Sequence, residues 1–325
     1  MRPYEKFAVE DASQVGEVRR AAQLLAHELG FDETAAGRLA LGVTELGTNL
    51  VRHAGGGALL LGVDGGAVEL LSLDSGPGMD VQRCLGDGYS TGGTAGTGLG
   101  AVKRLADRFD AFSLAGRGAV ISARFGAPPA AVSGFSIGAV GLAAPGERVS
   151  GDGWGLRARD GHVSLMLADG LGHGPEAADA ADMALMLFQR SSQASPAALL
   201  EDAHPTMRST RGAAVAIVSL AAAPAGLTLA GAGNIIGRLI SGVRDRSLLT
   251  QPGTLGVQIR RLQDNAHDWP EHAVLVLHSD GIVSRWNLEG AEGLLRCEPI
   301  VLAAWILRDH CRGRDDATVV VVRRH

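Results

Sequence analysis

Four aspartates, separated by long apolar stretches in the second half of the chain, constrain its fold more than any other feature. They lie in Gly151-Asp152-Gly153, Ala168-Asp169-Gly170, Ser279-Asp280-Gly281 and Arg314-Asp315-Asp316. Asp169 and Asp280 end apolar runs that resemble strands, and Asp315 precedes the last such run. Each aspartate alone is more often a turn residue than a ligand. Four of them at strand ends, however, can converge around two divalent cations, which a single loop cannot surround.

This arrangement predicts a two-metal hydrolytic centre. Two hard cations about 3.5–4 Å apart can share a bridging water, lower its pKa and hold a phosphoryl group for in-line attack. Gly170 and Gly281 would let the backbone turn beside the metals, and the carbonyl of Gly170 is a further candidate ligand. His173 follows closely; it fits either a proton donor or a surface or packing residue, and the second reading is favoured.

The first half carries a different ordered set of motifs, which predicts an ATP pocket. It consists of Glu45-Leu46-Gly47-Thr48-Asn49, Asp74-Ser75-Gly76-Pro77-Gly78 and Gly96-Thr97-Gly98-Leu99-Gly100. Glu45 and Asn49 are four residues apart on a predicted helix and therefore share one face. An isolated pair of this kind is more often a solvated polar face. The three motifs together favour a site.

Each motif suits one part of a bound nucleotide. Asn49 offers a neutral oxygen to Mg²⁺, and Glu45 can act as a general base toward an incoming hydroxyl. Asp74 ends an apolar strand, where a carboxylate can accept a hydrogen bond from an exocyclic amine, while Gly76 and Gly78 let a flat ring approach the backbone. Gly96, Gly98 and Gly100 open a helix, whose N-terminal amides can cradle phosphates.

Apolar periodicity organises the chain into two domains. It predicts three helices in the first half: one over about 14–29, one that is capped by Thr34 and runs to about His53, and one over about 100–108. Strands are predicted at 58–63, 67–73, 111–114 and 119–124. After a small-residue stretch at 127–132, the pattern becomes rich in strands, interrupted by helices near 175–189, 196–204 and 299–311. We therefore expect a two-domain α/β protein, with domains at 1–126 and 133–325 joined by a linker at 127–132.

Composition excludes several classes of function. The chain has 325 residues, of which 46% are hydrophobic, and its net charge is only −5. This small negative charge indicates neither a nucleic-acid surface nor a polybasic membrane surface. Aromatic residues make up only 4% of the chain, which also argues against a surface that stacks bases. No apolar run approaches the ~20 residues of a membrane-spanning helix. The three cysteines form no CxxC pattern, so we expect a cytoplasmic protein without a disulfide framework.

Residues 1–126 resemble the GHKL ATPase superfamily, also called the Bergerat fold. The stretch Asp87-Gly88-Tyr89-Ser90-Thr91-Gly92-Gly93, followed by Val102-Lys103-Arg104-Leu105, is similar to RsbT-type serine/threonine switch kinases. The resemblance implies an α/β sandwich that binds ATP and Mg²⁺, with Glu45 as base, Asn49 as magnesium ligand and Asp74 as adenine reader. Tyr89–Thr97 would form the lid. The partner implied is a STAS-domain anti-sigma antagonist or a similar phosphoprotein.

Residues 133–325 resemble the PPM family of metal-dependent serine/threonine phosphatases, particularly its SpoIIE and RsbX branch. The similarity is carried by Ala168-Asp169-Gly170-Leu171-Gly172-His173-Gly174 and Gly313-Arg314-Asp315-Asp316-Ala317-Thr318. It implies an α-β-β-α sandwich with two Mn²⁺ or Mg²⁺ ions. Asp169 would bridge both ions, Asp152 and Gly170 would complete one side, and Asp280 and Asp315 would hold the other. Asp316 stands where the wider family often has Asn, and a supporting position is expected for it.

Two functions remain open from the sequence. The preferred one is a bifunctional switch enzyme that phosphorylates a Ser or Thr of its partner with one domain and removes phosphate from Ser or Thr with the other. The alternative is an ATP-binding module that only sequesters a sigma factor or its antagonist, fused to an active phosphatase. A degenerate phosphatase is disfavoured because all four aspartates are present. The resemblance leaves a homodimer open, since related domains often pair.

Overall fold

The computed structural model describes residues 3–86, 98–127, 132, 134–159, 162–221 and 226–325. Its backbone contacts divide the chain into two compact units. The first holds Tyr4–Ala130 and Arg296–Trp305, and the second holds Pro3, Ala131–Leu295 and Ile306–His325. The predicted domain limits at 126 and 133 remain a prediction at the level of single residues.

The first unit is built on one antiparallel sheet of five strands, in the order β1-β2-β3-β5-β4. Its elements are β1 (Glu5–Val9), α1 (Ala12–Glu28), α2 (Glu33–Asn49), β2 (Gly57–Asp64), β3 (Ala67–Leu73), α3 (Val81–Leu85), α4 (Gly98–Leu105), β4 (Arg108–Leu114) and β5 (Gly118–Gly126). A π-helical segment, Leu50–Ala54, continues α2. A core of buried residues from α1, α2, α4 and the sheet holds the unit together, including Val18, Leu39, Leu46, Val68 and Phe125.

The two long helices of this unit begin at aspartates whose side chains cap them. Asp11 caps α1 and forms a reciprocal capping box with Gln14. Asp32 caps α2, since its side chain accepts a hydrogen bond from the backbone nitrogen of Ala35 at 2.7 Å. The prediction of Thr34 as the cap was therefore wrong. An aspartate in extended backbone can accept from the free amides of the first turn, whereas Thr34 already lies inside that turn.

The second unit contains two five-stranded sheets, in the orders β15-β10-β9-β8-β7 and β12-β11-β16-β17-β6. Its elements are β6 (Phe135–Leu142), β7 (Asp152–Arg159), β8 (His162–Gly170), α5 (Pro175–Arg190), α6 (Pro196–Met207), β9 (Ala213–Ala221), β10 (Gly226–Ala232), β11 (Ile236–Ile240), β12 (Asp245–Leu249), β13 (Gly253–Thr254), β14 (Gln258–Ile259), β15 (Asn265–Asp268), β16 (Val274–His278) and β17 (Ala317–Arg324). The helix α7 (Pro299–His310) is divided between the two units after Trp305.

Alternating side chains assign the two faces of these sheets. In β8, Leu165 and Leu167 enter the core shared by the two sheets, whereas Met166 and Ala168 pack with α5 and α6. The same alternation places inward-facing residues of β16 and β17 in the shared core. They are Leu275 and Leu277 of β16 and Val320 and Val322 of β17. A side chain that continues one of these inward rows therefore lies between the sheets, at the end of the sandwich.

The predicted elements are largely present, with shifted ends. Helix α4 begins at Gly98 and ends at Leu105, not at 100 and 108. The short strands β1, β12, β13, β14 and β15 were not predicted. Of these, β1, β12 and β15 lie at the edges of five-stranded sheets and carry exposed residues, so they lack a continuous apolar pattern. Among the described helices, none is both long and apolar enough to cross a bilayer.

Candidate functional site

The first unit contains a cavity of about 610 Å³ that is lined by five of the predicted nucleotide residues. Glu45 and Asn49 reach it from the last turns of α2, and Asp74 reaches it from the end of β3. Gly78 and Gly98 also line it. A cavity of this volume is within the range that encloses a ligand of nucleotide size.

Glu45 is half-buried at the wall of this cavity. Partial burial raises the pKa of its carboxyl, and the positive charge of Arg52 opposes that change. A carboxylate with a raised pKa holds a proton more readily, which suits a general base. Arg52 also lines the cavity, together with Arg83 and Cys84. These three residues were missed because no sequence motif marked them.

Close backbone contacts fix the position of Asp74. Its Oδ1 accepts a hydrogen bond from the nitrogen of Gly76 at 2.9 Å, and its own nitrogen donates to the carbonyl of Ala119 at 3.0 Å. A Cβ on Gly118 would lie 2.1 Å from the carbonyl oxygen of Asp74, and its φ is +78°. Gly118 is therefore required beside Asp74, although the sequence analysis did not single it out.

The glycine run is only partly described by the structure. Gly98 begins α4 at the cavity, while Gly76 and Gly100 are not among the residues that line it. Gly96, the Asp87–Gly93 stretch and the Tyr89–Thr97 lid lie outside the described residues.

The four aspartates of the second unit come from four strand ends. Asp152 begins β7 and faces Asp169 of β8 directly across the antiparallel pair. Asp280 follows β16, and Asp315 precedes β17. Asp152 and Asp169 continue inward rows of their strands, because Trp154 and Leu167, two residues away on each strand, pack at the shared core. These carboxylates therefore lie at one end of the sandwich, between the sheets.

The charges of these four carboxylates act on one another. Burial raises the pKa of Asp169, and the charges of Asp152, Asp280, Asp315 and, more weakly, Asp316 raise it further. Burial also raises the pKa of Asp152, although the hydrogen bond from the Ser279 hydroxyl opposes that change. Such a cluster is unfavourable without a positive charge beside it.

The donor set fits hard divalent cations. Asp152 is buried, and its Oδ1 has no hydrogen-bond partner, so this atom is available as a ligand. Within the described parts of the chain, no three His, Cys, Asp or Glu side chains already surround one point. Carboxylates without a counter-charge repel one another, and a bound cation would remove that repulsion. Mg²⁺ keeps several water ligands and needs only one or two carboxylates from the protein, so these aspartates suit such an ion.

Two glycines permit the close packing around these carboxylates. A Cβ on Gly170 would lie 2.0 Å from the carbonyl oxygen of Ala177, and one on Gly281 would lie 1.9 Å from that of Asp316. Neither position can hold a larger residue without moving the backbone. The aspartates that precede these glycines would move with it.

Asp316 organises the segment before Asp152. Its Oδ1 accepts a hydrogen bond from the nitrogen of Ala144 at 2.8 Å, and its Oδ2 accepts one from the nitrogen of Gly151 at 2.9 Å. An asparagine offers only one acceptor oxygen and could not accept both bonds in this way. In the same segment, Glu147 pairs with the exposed His173, with Oε1 and Nδ1 2.9 Å apart.

Two further partners of the aspartates were missed from the sequence. The amide of Asn234 donates to Oδ2 of Asp280 at 2.8 Å, and the hydroxyl of Ser279 donates to Oδ2 of Asp152 at 2.6 Å. Ser279 adjoins Asp280 in the motif and could have been singled out. Asn234 lies in a loop far from any motif, and no local signal marks it.

Comparisons with known proteins match both halves of the chain. Residues 8–125 match the histidine kinase-like ATPase domain, and residues 159–325 match stage II sporulation protein E, SpoIIE. Over 112 residues the chain is 36% identical to the serine/threonine-protein kinase RsbT of Bacillus subtilis (strain 168), covering 32% of this chain and 83% of RsbT.

A solved structure is also similar to part of the chain. It comes from work on "The bacterial stressosome: a modular system that has been adapted to control secondary messenger signaling", and it is 28% identical, with a TM-score of 0.54. The match covers 58% of this chain and 99% of that one. The expected α/β fold, a GHKL-like ATPase domain followed by a sheet-rich phosphatase domain, is confirmed.

The carboxylates at the strand ends agree with a metal-dependent activity, and the cavity agrees with a nucleotide-binding domain. The matched segments account for most of both units. The chain belongs to the SpoIIE family, and it is a metal-dependent serine/threonine phosphatase that carries an RsbT-type kinase-like domain.

Proposed function

We propose that the chain is a two-way switch enzyme, with an ATPase domain at 1–126 that phosphorylates a Ser or Thr of a STAS-domain partner and a domain at 133–325 that removes such a phosphate. Its place of action would be the cytoplasm, where ATP is available. The observation that carries the kinase activity is the 610 Å³ cavity onto which Glu45, Asn49 and Asp74 converge.

In the kinase reaction, each of these side chains would act on a different part of the substrates. The Asp74 carboxylate would accept a hydrogen bond from the adenine amine, and Asn49 would hold Mg²⁺ at the phosphates. Glu45 would take the proton of the attacking hydroxyl. Gly98, at the start of α4, would face the phosphates with free backbone amides, and Gly96 and Gly100 would extend that run.

In the phosphatase reaction, the aspartates would hold two Mn²⁺ or Mg²⁺ ions. Asp169 would bridge both ions, Asp152 and the Gly170 carbonyl would complete one side, and Asp280 and Asp315 would complete the other. The bound ions would supply a water of lowered pKa and neutralise charge on the phosphoryl group. The chain itself would fix the carboxylates, through Asn234 for Asp280 and Asp316 for the segment before Asp152.

The relatives of this chain support a STAS-domain protein as its partner. RsbT is named a serine/threonine-protein kinase, and the similar solved chain comes from the stressosome. The RsbT-like motifs imply a STAS-domain protein as phosphate acceptor. The same protein, once phosphorylated, would be the substrate of the second domain.

A transfer assay tests the kinase activity without interference from the phosphatase. An Asp169→Asn variant, which should not dephosphorylate, is incubated with labelled ATP and STAS-domain proteins of the same organism. We expect label on a Ser or Thr of one of these proteins. The label should be lost when the variant carries Glu45→Gln as a second substitution. Glu33→Gln, an exposed glutamate at the start of the same helix, is the matched control and should keep transfer.

The outcomes separate the two readings of the ATPase domain. If Asp169→Asn binds both nucleotide and partner but transfers no phosphate, the domain is a sequestering module. In the reverse assay, the wild type should release phosphate from the labelled partner with Mn²⁺ or Mg²⁺. Asp169→Asn and Asp280→Asn should release none, while Asp179→Asn, on the exposed face of α5, should match the wild type.

A further inference from the structure

A chain of hydrogen bonds links three strand ends behind the metal-facing carboxylate Asp152. Ser279 continues the inward row of β16 beyond Leu275 and Leu277, and Thr318 continues the inward row of β17 below Val320. The two residues are neighbours across the strand pair, because the nitrogen of Ser279 donates to the carbonyl of Thr318 at 3.1 Å. Both are buried, with relative exposures of 0% and 2%.

The direction of each hydrogen bond follows from the donors available. The backbone nitrogen of Thr318 donates to Oγ of Ser279 at 3.0 Å. Oγ therefore serves as acceptor there, and its single hydrogen is left for Oδ2 of Asp152, at 2.6 Å. Ser279 is thus held as a donor to one named oxygen.

The other oxygen of the same carboxylate remains available. Oδ1 of Asp152 is buried and has no hydrogen-bond partner. A carboxylate held at one oxygen cannot rotate freely about its terminal bond, so the free oxygen keeps one direction. A buried acceptor without a partner is unfavourable, and ligation of a cation would remove this penalty.

We propose that Ser279 is a positioning residue of the phosphatase, whose hydroxyl holds Oδ2 of Asp152 so that Oδ1 is presented to the cation. The inference rests on the proposed role of Asp152 as a metal ligand. Ser279 itself touches neither metal nor substrate. The Ser279 hydroxyl increases the affinity for the cation, because it orders the Asp152 carboxylate before the cation binds. Without this hydroxyl, binding itself must order the carboxylate, and the affinity falls.

Calorimetric titration of the full chain with Mn²⁺ tests this role directly. The variants are Ser279→Ala, Ser279→Cys and, as a matched control, Ser164→Ala, which removes a buried serine hydroxyl from β8 away from the cluster. We expect Ser279→Ala to raise the Mn²⁺ dissociation constant about 10- to 100-fold, as removal of such partners commonly does. Ser279→Cys, with a weaker donor of similar size, should fall between, and Ser164→Ala should match the wild type.

Activity gives a second measurement that a general loss of packing would not reproduce. The Mn²⁺ concentration for half-maximal phosphatase rate should rise with Ser279→Ala, while the rate at saturating Mn²⁺ recovers to within about threefold of the wild type. A dissociation constant for Ser279→Ala within threefold of that of the wild type overturns the proposal.

The parent assignment is tested separately with Asp152→Asn. If this variant binds Mn²⁺ as tightly as the wild type, Asp152 is not a ligand and the proposed metal site is wrong. If Asp152→Asn binds weakly while Ser279→Ala binds normally, the site stands and only the role of Ser279 is refuted.

Discussion

Replacement of Asp169 by asparagine should make the metal-free protein more stable while abolishing its phosphatase activity. Burial and the neighbouring carboxylates raise the pKa of Asp169 from 3.8 to about 9. An acid whose pKa is raised by folding destabilises the folded state above its unfolded pKa. The penalty is absent below pH 3.8, grows as the pH rises toward 9 and is constant beyond it.

The size of this penalty at pH 7 follows from the difference between pH 7 and the unfolded pKa of 3.8. About three pH units at about 1.4 kcal/mol each give an upper limit of about 4 kcal/mol. Relaxation and water entry at the end of the sandwich reduce this to roughly 1–3 kcal/mol. For a domain of about 190 residues, 1 kcal/mol corresponds to about 2–4 °C, so Asp169→Asn should melt several degrees higher.

Thermal unfolding in EDTA at several pH values measures this effect. We expect the midpoint of the wild type to fall between pH 5 and 8 relative to that of Asp169→Asn, and the exposed control Asp179→Asn to follow the wild type. Added Mn²⁺ should raise the midpoint of the wild type and leave that of Asp169→Asn almost unchanged. A variant less stable than the wild type in EDTA at pH 7 would refute the electrostatic argument.

Three further substitutions test other parts of the structure. Gly118→Ala would place its Cβ 2.1 Å from the carbonyl of Asp74 at a φ of +78°, so nucleotide affinity, measured by calorimetry, should fall at least tenfold. Gly170→Ala would meet the carbonyl of Ala177 at 2.0 Å, so Mn²⁺-dependent phosphate release should be lost while nucleotide binding persists. Asp11→Ala removes the cap of α1 and should cost about 1 kcal/mol, measured by urea unfolding, without altering phosphate release.

The sequence predicted what depends on local pattern. Asp169 and Asp280 were expected at the ends of apolar strands, and β8 and β16 end there, because an apolar run is visible in neighbouring residues. Glu45 and Asn49 could be placed on one helical face for the same reason. That Asp74 lines the same pocket as these two residues was predicted only from the three motifs taken together.

Long-range partners were the part that could not be predicted. Gly118 follows Asp74 by 44 positions, and its requirement appears only when β5 is paired beside β3. Asn234 reaches Asp280 from a loop after β10, and nothing in the neighbouring residues indicates it. Helix α4 also begins two residues earlier than predicted, since its glycines have weak helical propensity and hide its start.

The direct pairing of Asp152 with Asp169 across β7 and β8 has a consequence for how this domain tolerates change. Strand register sets which face each side chain occupies, and a slip of one residue would turn one carboxylate toward the helices instead of the gap between the sheets. Insertions or deletions of a single residue within either strand should therefore be far more damaging to this enzyme than exchanges of one apolar side chain for another. Sequence drift in this hairpin is expected to preserve its length more strictly than its composition.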